Sequence, residues 1–247
     1  MAEPSQPAAS RWSARPKGLP TGPQIVIVPA CRFANKGKEG ALHGVRVDSR
    51  SAGRVVTLPP AAAADGLEAA ALAWMEPYWN AAHLVRTRDW ARELDPHANA
   101  ALVIAALTHD IERHYPGGPR PGTGGAGGWD DPGYVREHCE RSARIVGAWL
   151  ADRCAPADLR KRVEELVRRH EEGGTPEADL LQAADSLSFL EVNDGVPLRW
   201  IADGRASVDQ ARAKLVWMRD RIRLPWARRL AEPVLARALE RFDAAVR

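Results

Sequence analysis

The sequence predicts an all-α protein with a short β-rich extension on its N-terminal side. From Ala61 onward, apolar residues recur at the spacing of amphipathic helices. The run 98–108 is rich in Ala and Leu and contains neither Gly nor Pro, which is typical of a buried helix. Short β-branched runs separated by turn residues lie instead within 24–60. A length of 247 residues favours one domain with appendages or one large domain, and it is sufficient for a sizeable core.

The N-terminal part of the chain divides into two segments. Residues 1–23 contain five prolines among Ala, Ser and Arg, and we predict a disordered tail because this composition buries too little apolar surface. The segment 24–60 is predicted to form a small hairpin or a three-stranded flap. Its basic residues Arg32, Lys36 and Lys38 form a candidate clamp for an anionic ligand. A solvated basic arm is the favoured alternative.

Residues 61–247 are predicted to form the helical domain, with a core at 70–195 and bracing amphipathic helices within 207–246. Asp95 is the candidate N-cap of the helix that contains the run 98–108. The remaining helices are predicted at 65–75, 78–94, 132–153, 156–170, 176–191, 207–222 and 226–246. The bracing helices are also a candidate dimer surface, so that a homodimer is a further expectation.

The segment 116–133 interrupts the helices with eight glycines and four prolines. This composition excludes regular structure, and the segment is long for a connection inside one domain. One interpretation is a mobile lid with Arg120 and Trp129 as its contacts. The alternative is a disordered insertion.

The composition excludes several classes of function. No uncharged span is long enough for a transmembrane helix, and residues 1–23 lack the apolar region of a secretory signal. Three cysteines form no disulfide framework and are typical of a reducing, cytoplasmic location. A net charge of +3 is too small to favour nucleic acid as a partner.

Four histidines and two aspartates stand out because of where they fall in the predicted helices. His109 and Asp110 close the most apolar helix, and the other four occupy one predicted helix each. These four are His83, His138, His170 and Asp185. A carboxylate on an apolar face is costly unless it is paired or bound to a metal. The set therefore predicts a metal centre of imidazole and carboxylate ligands.

These residues lie in local contexts that resemble the HD-domain superfamily of helical metalloproteins. The matching stretches cover about residues 70–195: 83–86 with Trp90, Ala91 and Leu94, then 107–111, 138–147, 169–171 and 183–185. The resemblance implies a helical bundle with a first metal site of His83, His109, Asp110 and Asp185. It implies a second site completed by His138 and His170, with Asp110 bridging. Two divalent ions, iron or manganese, would be the cofactors.

The same resemblance suggests a metal-dependent phosphohydrolase that acts on a nucleotide or another small phosphate ester. Asp110 and Glu112 are the candidate catalytic residues, with Glu112 as acid or base. Arg86, Arg113 and Arg169 are candidate ligands of a small anionic substrate. The alternative is a mixed-valence di-iron oxygenase, which uses the same six ligands, and a third candidate is a binding domain without turnover. The Gly-Tyr-Pro signature of cyclic dinucleotide phosphodiesterases is absent, since Gly-Gly-Thr-Pro follows the pair His170 and Glu171 after one further glutamate.

Overall fold

The computed structural model describes residues 60–121 and 128–247, with side chains from residue 66. Within these ranges the chain is all-helical and has no strand, as the sequence predicted for this part. The predicted tail 1–23 and the basic residues Arg32, Lys36 and Lys38 lie outside the described residues. So does the β-rich extension, except that Pro60 begins the first helix.

Nine α-helices and one short 3₁₀ helix follow one another in the described chain. In order they are α1 (Pro60–Met75), α2 (Ala81–Leu94), α3 (Ala100–Thr108), the 3₁₀ helix (Ile111–His114), α4 (Pro132–Asp152), α5 (Ala157–Arg169), α6 (Pro176–Val192), α7 (Val196–Ala202), α8 (Val208–Asp220) and α9 (Pro225–Ala245). None of these helices is long and apolar enough to cross a membrane.

Polar N-caps set where several helices begin, because a side-chain oxygen can bond the free N–H groups of the first turn. The Asp131 carboxylate accepts from the Tyr134 N–H at 2.9 Å and so begins α4. The cap of α3 differs from the prediction. Asn99 Oδ1 accepts from the N–H of Ala101 at 2.9 Å, whereas Asp95 bonds the His97 N–H within the preceding turn. Asp95 lies too far upstream to cap a helix that begins at residue 100.

Helix α3 lies at the centre of the fold. All its residues from Ala101 to Thr108 are buried, and it packs against α1, α2, α5 and α6. The α-helix ends at Thr108, and the chain tightens into the 3₁₀ helix at Ile111. His109 and Asp110 therefore leave the central helix with both side chains inside the bundle, at 0% and 8% exposure.

Two apolar cores share the interior. The first lies between α1, α2, α3, α4, α5 and one face of α6, and it includes Leu84, Ile104 and Leu150. The second lies between α6, α8 and α9 and includes Leu187 and Leu215. Helix α6 contacts both α2 and α9, so it joins the two cores. The helices predicted to brace the bundle pack on each other and on α6.

Candidate metal centre

Four buried imidazoles form a continuous row inside the bundle. His83 comes from α2 and His138 from α4, whereas His109 and His170 follow the last residues of α3 and α5. The ring centroids of His83 and His109 are 5.4 Å apart, those of His109 and His170 are 4.9 Å apart, and those of His170 and His138 are 5.2 Å apart. All four side chains are at most 2% exposed.

Two of these rings are oriented by the carbonyl groups of their own helices. His109 Nδ1 lies 3.0 Å from the Ala106 oxygen, and His170 Nδ1 lies 2.7 Å from the Val167 oxygen. Because a carbonyl can only accept, each Nδ1 carries the proton and each Nε2 keeps its lone pair. Both Nε2 atoms are buried without a hydrogen-bond partner in the described part of the chain. A buried, unpartnered imidazole nitrogen is what a metal ligand requires.

The other two rings are oriented by side chains. His83 Nδ1 lies 2.8 Å from the Ser188 hydroxyl, which donates its own hydrogen to the His83 carbonyl at 2.9 Å. The hydroxyl therefore accepts from the ring. His138 Nδ1 donates to Glu112 Oε1 at 2.9 Å. Acceptors of this kind fix the tautomer of metal-binding histidines in many proteins. In the neutral rings, each of the four Nε2 atoms therefore carries the lone pair, and that of His138 lies 3.4 Å from Arg113 Nη2.

Two carboxylates complete the row at its two ends. Asp185 Oδ1 lies 3.1 Å from His83 Nε2 and 3.4 Å from His109 Nε2. Asp110 Oδ1 lies 3.0 Å from His138 Nε2 and 3.8 Å from His170 Nε2. The structure therefore brings all six predicted ligands together.

The donor atoms fall into three overlapping groups, each of which could hold a metal ion. The first contains His83, His109 and Asp185, and the second contains His109, Asp110 and His170. The third contains His138, His170 and Glu171. Within each group the donor atoms lie within 4.8 Å of one another. Glu171, which directly follows His170 in the sequence, is therefore a further candidate ligand.

Metal binding requires ionised carboxylates, and the surroundings of Asp110 and Asp185 favour that form. Burial opposes ionisation of Asp110, but the Arg113 guanidinium holds its pKa well below the usual range. Burial opposes ionisation of Asp185 as well, and Arg221 holds that pKa well below the usual range. Against the effect of burial, carboxylate neighbours raise the pKa of His109 and that of His138, so a metal ion competes with protons at these two rings. Burial, together with the charge of His109, lowers the pKa of His170 to about 4.

Arg221, which directly follows α8, supports this cluster from behind. Its guanidinium donates to the Asp185 and Glu171 carboxylates, and its Nε donates to the Ser186 hydroxyl at 2.8 Å. Burial raises the pKa of Glu171, but Arg221 outweighs that effect and lowers it to about 2. The sequence analysis missed Arg221, because an arginine at the end of an amphipathic helix is ordinarily exposed.

Glu112, the candidate acid or base, is buried, and neighbouring side chains bond both of its carboxylate oxygens. It is 1% exposed, and its second oxygen accepts from Arg141 Nη1 at 3.0 Å. It does not line the pocket beside the cluster. Both oxygens are engaged with protein groups, so this geometry gives Glu112 the role of orienting His138.

The three candidate substrate-binding arginines separate into two groups. Arg113 lines the pocket, with its Nε 3.4 Å from Asp110 Oδ2. Arg86 lies outside the pocket lining and donates to Glu191 at 2.6 Å and Glu93 at 2.7 Å. Arg169 is exposed and pairs with Glu165. Arg86 and Arg169 thus have carboxylate partners of their own away from the pocket.

The pocket opens onto the donor cluster, and aromatic side chains line it together with polar and charged ones. Its lining comprises Trp79, Asn80, His83, Asp110, Arg113, Pro121, Trp129, Tyr134, Glu171, Asp185, Phe189, Asn193, Val196, Trp200, Lys214 and Met218. Lys214 was missed by the sequence analysis, although it shares a helix face with the buried residues Ala211, Leu215 and Met218. A lysine among these apolar residues was the available signal.

Both described ends of the glycine-rich segment contact the site. Pro121 and Trp129 line the pocket, and the Trp129 ring lies 4.9 Å from that of Trp217 on α8. The Pro116 carbonyl accepts from Arg141 Nη2 at 2.7 Å. Arg120 is exposed and is not part of the pocket lining. Residues 122–127 lie outside the described ranges.

We compared the chain with family models, with curated proteins and with solved structures, and none of them matches it.

Proposed function

We propose that the chain is an HD-domain metal-dependent phosphohydrolase that acts on a nucleotide or another small phosphate ester through a dinuclear metal centre. The observation that carries this proposal is the row of four inward-facing Nε2 atoms with a carboxylate at each end. Two divalent ions, iron or manganese, fit this mixed nitrogen and oxygen donor set. Bound there, they would supply Lewis acidity toward a phosphoryl group and an activated water.

Arg113 is the side chain best placed to bind the phosphoryl group. It is partly exposed, it lines the pocket, and it lies beside both Asp110 and His138. A guanidinium can donate two parallel hydrogen bonds to phosphate oxygens. Its partner Asp110 is also a candidate metal ligand, so phosphate and metal would meet next to each other.

The remaining pocket residues suit the organic part of the ester. Trp79 and Trp200 provide flat apolar surface, and Asn80 and Asn193 provide amide donors and acceptors. Burial raises the pKa of Tyr134, so its phenol stays protonated and donates a hydrogen bond to an anionic ligand. These contacts would orient the leaving group while Arg113 holds the phosphate.

Anaerobic phosphate release tests this proposal. Protein purified without oxygen should release phosphate from a panel of nucleotides and simple phosphate esters when Mn²⁺ or Fe²⁺ is added. Arg113→Ala should weaken substrate binding by about 1.5–3 kcal/mol, the range of a charge-assisted hydrogen bond, and Arg113→Lys should recover part of it. Arg169→Ala, which removes an exposed arginine, is the matched control and should bind substrate like the wild type.

The di-iron oxygenase remains the second candidate, because the same donor set accommodates it. Oxygen uptake on an organic substrate, a mixed-valence di-iron signal and no phosphate release across the panel would favour it over the hydrolase. The six candidate ligands are common to both functions.

A further inference from the structure

Lys214 is a buried cation with no anionic partner. Only 8% of the residue is exposed, and it makes no hydrogen bond or ion pair among the residues that the structure describes. Both acidic groups that attract it at longer range, Glu171 and Asp185, are engaged by Arg221. Removing an ammonium group from water without a counter-ion is unfavourable, so a charged Lys214 at this position destabilises the folded chain.

Aromatic rings hold the ammonium group in place. Lys214 Nζ lies 4.1 Å from the centroid of the Trp217 ring, 4.7 Å from that of Trp129 and 5.4 Å from that of Phe189. Cation–π contacts of this kind attract the charge but do not neutralise it. They also fix the direction of a side chain that would otherwise be flexible. The ammonium group is therefore positioned in advance in the wall of the pocket.

The pocket that Lys214 lines also contains the candidate metal ligands and Arg113. A molecule that enters it can contact both the ammonium group and the candidate metal ligands. Burial lowers the pKa of Lys214 to about 7, and an anion bound beside it would favour the charged form. We therefore expect the ligand to supply the anionic partner that Lys214 lacks.

We propose that Lys214 is an anion-binding residue of this pocket and takes a phosphate group of the ligand. Trp129 and Trp217 act as its positioning residues, because they hold the ammonium group from two sides. This inference deepens the proposed phosphohydrolase function and rests on it for the choice of phosphate as the anion. It requires no turnover.

The test is the binding of inorganic phosphate to the full chain loaded with Mn²⁺, measured by calorimetry. Lys214→Met, which keeps the length and apolar stem of the side chain, should weaken phosphate binding about tenfold to a hundredfold. Lys214→Arg keeps the cation and should retain part of the affinity. Lys161→Met removes an exposed lysine of α5 and should bind phosphate like the wild type. Metal content should be equal in all four proteins.

A labelling experiment on the wild type makes the test independent of the variants' folding. Phosphate should slow acetylation of the Lys214 amine, read by mass spectrometry, and leave acetylation of Lys161 unchanged. Equal phosphate affinity in Lys214→Met and the wild type would overturn the proposal. So would a labelling rate of Lys214 that is the same with and without phosphate. Failure of phosphate release alone would count against the hydrolase and leave this assignment standing.

Discussion

The orientation and tautomer of each inward-facing imidazole depend on the group that accepts the hydrogen bond from its Nδ1. His109 and His170 rely on carbonyl groups that the helix ends provide, and no single side-chain change removes these acceptors. His83 and His138 rely instead on Ser188 and Glu112, which can be changed one at a time. The two side-chain acceptors lie at opposite ends of the row.

We predict that Ser188→Ala and Glu112→Ala each weaken a different metal site. Loss of such an acceptor lowers metal affinity by about tenfold to a hundredfold, because the ring is free to rotate or to change tautomer. Each variant should therefore keep one tight metal per chain and bind the second weakly in a Mn²⁺ titration. Each serves as the control for the other, and full occupancy of both sites in either variant would contradict the role of that acceptor.

Some residues of the site could be predicted from the sequence, and others could not. The six candidate ligands could be identified from the sequence, because burying a His or Asp on an apolar helix face destabilises the fold unless the side chain has a partner. Lys214 and Arg221 could not be identified in this way, since long basic side chains at the edge of an apolar face usually extend to solvent. Whether such a side chain turns inward depends on what packs opposite it. For Lys214 that is Trp129, which comes from a segment without periodicity.

At the element scale, the glycine-rich segment is joined to the metal ligands through Gly118. A Cβ at this position would lie 2.1 Å from Arg141 Nη1 and 2.2 Å from Glu112 Oε2, so any larger residue would have to displace one of these two side chains. Glu112 in turn orients His138. The start of the segment is thereby coupled to one end of the imidazole row.

Gly118→Ala is therefore expected to weaken the metal site that contains His138 while leaving the helical fold intact. The added methyl group forces Glu112 or Arg141 to move, and both are held by other bonds. Gly66→Ala is the matched control, because a Cβ there has no neighbour within 4 Å. Metal content and circular dichroism of the two variants provide the comparison, and equal metal content would show that the segment and the site are independent.

Helices were predicted correctly where the apolar periodicity and the capping residues indicate the same start. They were not predicted where tertiary contacts determine whether a helix forms or where it ends. Helices α4 and α6 begin at Pro132 and Pro176, as their flanking residues predicted. Helix α7 was not predicted, since Val196–Ala202 is too short to establish a period. The end of α3 at Thr108 depends on how His109 and Asp110 turn toward neighbouring helices, which local sequence does not encode.

At the scale of the whole molecule, the candidate ligands tie together most of the bundle. They come from α2, from the end of α3, from α4, from the end of α5 and from α6. An ion that binds them stabilises the folded chain relative to the unfolded chain by mass action. The metal centre is then a structural element as well as a chemical one.

Removal of metal should lower the melting temperature of the full chain. A divalent ion present at a hundred times its dissociation constant adds about 2.7 kcal/mol, or roughly 5–10 °C for a domain of this size. Mn²⁺ added to chelator-treated protein should restore the melting temperature, whereas Mg²⁺ at the same concentration should not, because it prefers oxygen ligands. An unchanged melting temperature with Mn²⁺ would contradict metal binding at this cluster.

The order of the ligands along the chain has a consequence for synthesis. His83, His109, Asp110 and His138 leave the ribosome first, whereas Asp185 and its partner Arg221 follow much later. Chains fold from the N-terminal side as they emerge, so helices α1 to α5, with all four imidazoles, emerge before the carboxylate on α6 exists. Until Asp185 arrives, the emerging chain presents histidines to any soft metal in its surroundings. The donor set of the proposed metal centre is therefore complete only when α6 has docked between the two cores.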